Sequence, residues 1–206
     1  MPPFDAVIAE MARKIKAADH KPLGALRLQL QSVLPAPILA QSMDSLTYYI
    51  ESCPVTLRDF AVAVSAGYSA SLQQVAAGVY QYLTEPNDLL LDDTNGVLGF
   101  LDDAWLIHNT AYRCVQSQLV NAQQFSADWN KIVMADRLAL QLFPPQVKAA
   151  LDGIVAQYSN LVAQEMRQFQ PAPSPGDSTD STGGKTIDDY YYTIGGTSYL
   201  STKPIG

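Results

Sequence analysis

The chain contains few charges for its length, and positive charges are the scarcer kind. Only 16% of its 206 residues are charged, against about 25% in an average soluble protein. The 13 Lys and Arg residues are outnumbered by 20 Asp and Glu residues, which gives a formal net charge of −7. Because binding to nucleic acid or to anionic lipid needs clustered basic residues, the sequence argues against both kinds of partner.

Cysteine and long apolar runs are also scarce. The two cysteines, Cys53 and Cys114, are too few for a disulfide framework in a chain of this length. No run of about 18 apolar residues is present, so we expect no membrane span. Residues 1–5 lead directly into an amphipathic pattern and do not resemble a secretory signal. These observations favour a cytoplasmic protein in a reducing compartment.

What the chain does contain is a regular helical pattern. Hydrophobic residues make up 48% of the sequence, and in residues 3–169 they recur at helical spacing. No alternating β-branched run competes with this pattern. We therefore predict an all-α domain, a bundle or orthogonal array of about seven or eight helices. The apolar positions predicted to face inward are Phe4, Val7, Ile8, Met11, Ala12, Ile15, Leu23, Leu26, Leu30, Val33, Ile38, Leu39, Met43, Leu46, Ile50, Leu57, Phe60, Ala61, Val64, Leu72, Val75, Ala76, Val79, Leu83, Val97, Leu98, Leu101, Trp105, His108, Tyr112, Val115, Trp129, Ile132, Val133, Leu140, Val147, Leu151, Ile154, Tyr158, Leu161, Val162, Met166 and Phe169.

Local signals predict where several of these helices begin. Pro22 suits the first turn of a second helix, and the pair at 144–145 restarts the chain before the last one. Residues 56–59 resemble a capping box, with Asp in place of the preferred Glu. Ser126 or Asp128 is expected to cap the helix that follows it.

The composition changes at Gln170. Residues 170–185 are rich in Pro, Ser and Gly and contain no large apolar residue, which predicts a flexible linker. Residues 186–206 then contain two short β-prone runs around Gly195-Gly196, a pattern typical of a β-hairpin. Because an isolated hairpin is marginal in water, this segment needs the helical body or a partner to hold it.

The tail, residues 186–206, is unusually aromatic for a chain terminus. It contains four of the 11 tyrosines of the chain. Tyrosine supplies contact area at low conformational entropy, so we interpret the tail as a docking peptide tethered by the linker. The alternative is an apolar terminus without a role. The predicted partner-binding residues are Tyr190, Tyr191, Tyr192, Ile194, Tyr199 and Leu200.

Acidic residues cluster in one window. Residues 84–103 contain six of the 20 acids and no basic residue. In a structural interpretation, one of residues 92–95 caps the helix that carries residues 99–112, and Asp102 and Asp103 lie on a solvated face or pair with a distant arginine. In a functional interpretation, the carboxylates bind Mg²⁺ or Ca²⁺ or contact a basic protein surface. The candidate metal ligands are Asp88, Asp92, Asp102 and Asp103.

The same window carries a spacing pattern. Asp88 and Asp92 are separated by three apolar residues, and Gly99 precedes the pair Asp102-Asp103 by two apolar residues. This arrangement resembles the hallmark of the YkvA-like family of small helical bacterial proteins. The chain differs from the family pattern at Leu91, where proline is usual, and in a gap before Gly99 that is one residue longer. The resemblance covers residues 82–104 and implies a helical bacterial protein whose family has no established activity.

Histidine and cysteine form no recognisable catalytic constellation. His108 follows Asp103 by five residues, so the two lie on different faces of a helix, and we expect His108 in the core or at a subunit contact. His20 is interpreted as a helix-end residue. Cys53 and Cys114 are expected to be inert.

The sequence therefore favours a non-enzymatic interaction or assembly protein. Such an adaptor would use helical surfaces and the tail, would need no cofactor, and would bind a protein partner, with a homo-oligomer left open. One alternative is a metal-dependent regulator or enzyme that uses residues 85–103. Another is an immunity- or antitoxin-like protein whose acidic surface covers a basic partner.

Deleting residues 171–206 tests the docking role of the tail. We expect the melting temperature to stay nearly unchanged, because the apolar clusters of the helices all precede residue 170. Association with a partner, measured by co-purification, should be lost. A truncated protein that unfolds or aggregates would contradict this prediction.

Overall fold

The computed structural model describes residues 2–66, 69–85, 89–90 and 95–169, with side chains as far as residue 163. Within these ranges the chain forms eight α-helices, two short 3₁₀ turns and no strand, which confirms the predicted all-α class. The helices are α1 (Phe4–Ala17), α2 (Lys21–Leu30), α3 (Ala36–Glu51), α4 (Cys53–Ala66), α5 (Ala70–Thr84), α6 (Leu101–Gln116), α7 (Trp129–Leu142) and α8 (Pro145–Phe169), and the 3₁₀ turns are Gly96–Phe100 and Ala122–Gln124.

Several helix starts follow the local signals in the sequence. Pro22 lies in the first turn of α2, and Pro145 is the first residue of α8. Asp128, rather than Ser126, caps α7, and its carboxylate accepts hydrogen bonds from the backbone N–H groups of the second and third helical residues. These starts were predictable because each depends on residues within one turn.

The capping box predicted at residues 56–59 is wrong. α4 already begins at Cys53, so Thr56 and Asp59 lie inside the helix, and both are buried. The carboxylate of Asp59 accepts a hydrogen bond of 2.8 Å from the backbone N–H of Ser126. It therefore links α4 to the segment that leads into α7, instead of capping its own helix.

The helix predicted to carry residues 99–112 consists of two parts. A 3₁₀ turn occupies Gly96–Phe100, and α6 begins only at Leu101. Because this turn separates α6 from residues 92–95, the prediction that one of those residues caps the helix is wrong. Residues 92–94 themselves lie outside the described residues.

α6 lies at the centre of the fold. Eleven of its 16 residues are buried, and it packs against α3, α4, α5, α7 and α8. Around it, α3 packs along α7, α1 packs on α4, and α8 packs on both α5 and α6. Trp105 faces the core, as predicted. In the described part of the chain, no helix combines the length and apolarity that a bilayer span requires.

The end of α6 is closed by a Schellman motif. The N–H of Leu119 donates to the carbonyl of Cys114 at 3.0 Å, and the N–H of Gln118 donates to the carbonyl of Val115 at 2.9 Å. This geometry puts Gln118 in the left-handed region, with φ of 57°. A glycine is usual at this position, and a residue with a Cβ costs about 1–2 kcal/mol there.

Gly96 allows the 3₁₀ turn to approach the end of α1. Its φ is +56°, and the next residue, Val97, donates its N–H to the carbonyl of Asp19 at 3.0 Å. A Cβ built on Gly96 would lie 2.4 Å from that same carbonyl oxygen. The contact therefore needs glycine both for its backbone angle and for its lack of a side chain.

Gly96→Ala should destabilise the protein by about 1–3 kcal/mol, because the alanine is strained and its Cβ collides with backbone. Gly24→Ala is the matched control, since a Cβ on Gly24 in α2 has no atom within 4 Å. This control should stabilise by about 0.5–1 kcal/mol, the usual gain of Ala over Gly within a helix. Urea unfolding measures both changes, and equal effects of the two substitutions would contradict the assignment.

Candidate functional site

Asp102 is buried, contrary to the expectation of a solvated face. Its exposure is 0%, although it lies in the first turn of α6. The side chain is covered because α6 is enclosed by neighbouring helices on nearly all sides. A negative charge in the first turn of a helix also interacts favourably with the helix dipole.

The hydrogen bonds of Asp102 are structural. Its Oδ2 accepts one from the hydroxyl of Tyr82 at 2.8 Å and one from the backbone N–H of Leu90 at 3.1 Å. Tyr82 lies on α5, and Leu90 lies in the segment that leads from α5 to α6. The carboxylate therefore fixes the start of α6 against α5 and against the connecting segment. Asp103, the second member of the pair, is half-buried.

The structure places only two of the four candidate metal ligands. Asp88 and Asp92 lie outside the described residues. Among the residues that are described, no three His, Cys, Asp or Glu side chains are grouped as a metal site requires. A cation at Asp102 would also have to compete with the donors Tyr82 and Leu90.

His108 holds the joint between α3 and α4. Its Nε2 donates to the carbonyl of Tyr49 at 2.8 Å. This carbonyl lies in the last turn of α3, where carbonyl groups have no N–H donor from the next helical turn. Only Ser52 separates α3 from α4, and its Oγ lies 3.5 Å from the same nitrogen. Burial lowers the pKa of His108 to about 4, so the ring is neutral at neutral pH.

A second polar cluster connects α3, α6 and α7. The Oδ1 of Asp136 accepts hydrogen bonds from the Tyr49 hydroxyl at 2.9 Å and from Nδ2 of Asn109 at 2.7 Å. Burial raises the pKa of Asp136, and these two hydrogen bonds partly oppose the shift. Sequence reasoning did not single out this cluster, because its members are 27 and 87 residues apart in sequence.

Neither cysteine is activated. Both thiols are free and buried. Burial raises the pKa of Cys53 well above its ordinary value, and the charges of Asp103 and Asp102 raise it further. Burial raises the pKa of Cys114 to about 12. Because the thiolate is the nucleophile, these shifts oppose nucleophilic chemistry at either residue.

The most unusual surface feature is apolar. Leu28, Val33 and Ile38 are 71%, 70% and 51% exposed, and they fall within 11 residues around the turn that joins α2 to α3. We name this region, residues 27–41, the α2–α3 corner. Val33 and Ile38 were predicted to face the core, and that prediction is wrong. They lie in the turn and in the first turn of α3, where the apolar stripe runs past the packed part of the helices.

The candidate docking residues of the tail lie outside the described residues, together with the whole segment 170–206. Their role therefore stays a prediction. The same holds for the linker.

No family model, curated protein or solved structure matches the chain. The similarity of residues 82–104 to the YkvA-like pattern stays a prediction as well.

Asp102→Ala should destabilise the protein by about 2–4 kcal/mol, because it leaves Tyr82 and the Leu90 N–H without their buried acceptor. Asp152→Ala is the control, since Asp152 is exposed and pairs with Lys148 on the same helix. Its cost should stay at about 0.5 kcal/mol or less. Urea unfolding measures both, and similar small costs would show that Asp102 has no structural role.

The free energy of unfolding should fall as the pH is lowered from 6.5 towards 4. In this range the unfolded chain takes up a proton at His108 that the folded protein, with its lowered pKa, does not accept. Above pH 6.5 the contribution is fully present. The expected loss is about 1.4 kcal/mol per pH unit, measured by urea unfolding across the range.

His108→Gln is the control for this pH effect. The variant should lose less stability over the same pH range, whatever its stability at neutral pH. Asp136, whose pKa is raised, acts in the opposite direction and is common to both proteins, so the comparison cancels it. Identical pH dependence in the two proteins would contradict the assignment to His108.

Proposed function

We propose that the chain is a non-enzymatic protein-interaction or assembly component, an adaptor of a bacterial cytoplasm, that binds through a helical surface and through its tail. The observation that carries this proposal is the exposure of Leu28, Val33 and Ile38 at the α2–α3 corner. Grouped exposed apolar side chains are typical of surfaces that another protein covers. Isolated ones are ordinary and would not support the same conclusion.

The grouping distinguishes this corner from ordinary surface. Five large hydrophobic residues are exposed in the described part of the chain, and three of them lie in the corner. A fourth, Met134 on α7, lies 3.6 Å by its sulfur from Nε2 of Gln41, which is one helical turn beyond Ile38. An exposed apolar side chain of α7 therefore borders the corner.

Charge favours the same surface. Residues 20–43 contain no Asp or Glu, although the chain has 20 acids and a net charge of −7. Lys21 and Arg27 are the only Lys and Arg residues in this stretch. A partner that approaches the corner therefore meets less negative potential than the net charge of the chain suggests, and an acidic partner or a second copy can approach it.

The internal roles of the acids and of His108 are consistent with this proposal. Helices are held together by the hydrogen bonds of Asp102, Asp136 and His108. We also propose that the chain is a divergent YkvA-like protein, on the support of the pattern in residues 82–104. The structural role of Asp102 supplies a physical reason for an aspartate at that position of the pattern.

Polar replacement of the corner tests the proposal. A protein with Leu28→Gln, Val33→Thr and Ile38→Gln should keep its stability within about 0.5 kcal/mol, because these side chains are exposed. It should lose the partner, or the self-association, that the full-length chain shows. Affinity capture with quantitative mass spectrometry measures the first, and sedimentation equilibrium measures the second.

Val62→Thr is the matched control, because Val62 is 59% exposed but lies on α4. It should bind as the unmodified chain does. Association that survives the corner substitutions and is lost with Val62→Thr would contradict the corner as the binding surface.

The alternatives differ in their response to cations and salt. A metal-dependent regulator or enzyme that uses residues 85–103 should gain melting temperature on addition of Mg²⁺ or Ca²⁺. An immunity- or antitoxin-like protein should bind its basic partner in a strongly salt-dependent way. The adaptor proposal predicts neither a gain in melting temperature with Mg²⁺ or Ca²⁺ nor strongly salt-dependent binding, since apolar contacts dominate the α2–α3 corner.

A further inference from the structure

A cleft on the helical body lies where α4 ends near the segment that follows α6. It has a volume of about 400 Å³, within the range of pockets that hold small ligands. Ala63, Ala66, Val115 and Val120 contribute apolar surface to it, and Ala63 and Val120 are themselves buried. Small alanines on one wall leave room for an apolar group to enter.

Two of the side-chain amides that line this cleft have their oxygens bound by backbone N–H groups. The Oδ1 of Asn121 accepts a hydrogen bond of 2.9 Å from the N–H of Gln123, and the Oε1 of Gln124 accepts one of 3.2 Å from the N–H of Asn121. This capping box fixes both amide orientations. The two NH₂ groups make no hydrogen bond within the described residues, so they remain as donors.

A third amide on the cleft belongs to a strained residue. Gln118 also lines the cavity, and its φ of 57° is a conformation that glycine adopts more easily. Retained strain of this kind is found at binding sites more often than elsewhere. The side chain of Gln118 is exposed, so packing in the core does not explain why glycine is absent.

We propose that this cleft binds a short, uncharged peptide segment, with one apolar side chain inserted between the alanines and backbone carbonyls bound by the amide NH₂ groups. Carbonyls fit because the NH₂ groups of Asn121 and Gln124 are donors, and a sugar would bring no apolar group to the alanines. An uncharged ligand fits because none of the described residues that line the cleft is charged. The cleft lies on other elements than the α2–α3 corner, and its proposed ligand goes beyond the adaptor role. An experiment can therefore contradict one of the two proposals without contradicting the other.

A blocked amino acid is the smallest probe with these features. N-acetyl-leucine methylamide carries one apolar side chain and two amide carbonyls, and it is titrated into the ¹⁵N-labelled full-length chain. Saturable shifts of backbone amide signals are expected at Ala63, Ala66 and residues 118–124. Isopentanol, with the same apolar group and no carbonyl, should bind about tenfold more weakly or not at all. Methyl glucoside should not bind.

Two variants connect the binding to the cleft. Ala66→Phe fills the cavity from an exposed position and should weaken binding of the probe about tenfold. Ala9→Phe is its control, at an exposed alanine on α1, and should bind the probe normally. Gln118→Gly should raise the melting temperature by relieving the strained backbone, and should weaken binding several-fold by removing the amide.

Each possible result of these experiments either supports or overturns the proposal. Absence of saturable shifts up to the solubility limit of the probe would overturn the proposal, as would equal binding of isopentanol or preferential binding of methyl glucoside. Normal binding by Ala66→Phe, with the fold verified by circular dichroism, would also overturn it. A melting temperature that rises in Gln118→Gly without any loss of binding would overturn the role of Gln118 in the site.

Discussion

The burial of α6 is the constraint on which the rest of the structure depends. A helix enclosed on most sides has to place polar residues in the core, because its sequence contains Asp102, His108 and Asn109 among apolar ones. Each of these polar groups costs free energy unless a neighbour binds it. The neighbours are Tyr82 of α5 for Asp102, and α3 and α7 for the other two. The positions of the surrounding helices are thereby fixed by hydrogen bonds as well as by apolar packing.

The helical part of the fold could be predicted because its determinants are local. Periodicity gave the helices, Pro22 and Pro145 gave two starts, and Asp128 gave a cap. The predictions are wrong where a residue that resembles a local helix signal is bound by a partner distant in sequence. Residues 56–59 have the composition of a capping box, yet α4 extends back to Cys53, and Asp59 is bound by Ser126, which is 67 residues away.

The candidate site was less predictable for the same physical reason. A pair of aspartates at the start of a helix indicates a solvated or metal-binding surface when only spacing is considered. Asp102 is instead bound by Tyr82, 20 residues before it, and by the backbone at Leu90, 12 residues before it. No rule based on residue spacing contains these contacts. The cluster of Tyr49, Asn109 and Asp136 is a stronger case, since none of its members is unusual in sequence.

The α2–α3 corner shows the opposite error, because Val33 and Ile38 were predicted to be buried and are exposed. Periodicity assigns a face to a helix, but it does not show how far along the helix the core extends. Val33 and Ile38 continue the apolar stripes of α2 and α3 beyond the packed region, so they reach water. In this chain, which has few charges, buried polar side chains position the helices. Apolar side chains are left exposed where the apolar stripe of a helix extends beyond the core. Binding surfaces of such a protein are therefore to be sought at its helix corners and in clefts where helices end.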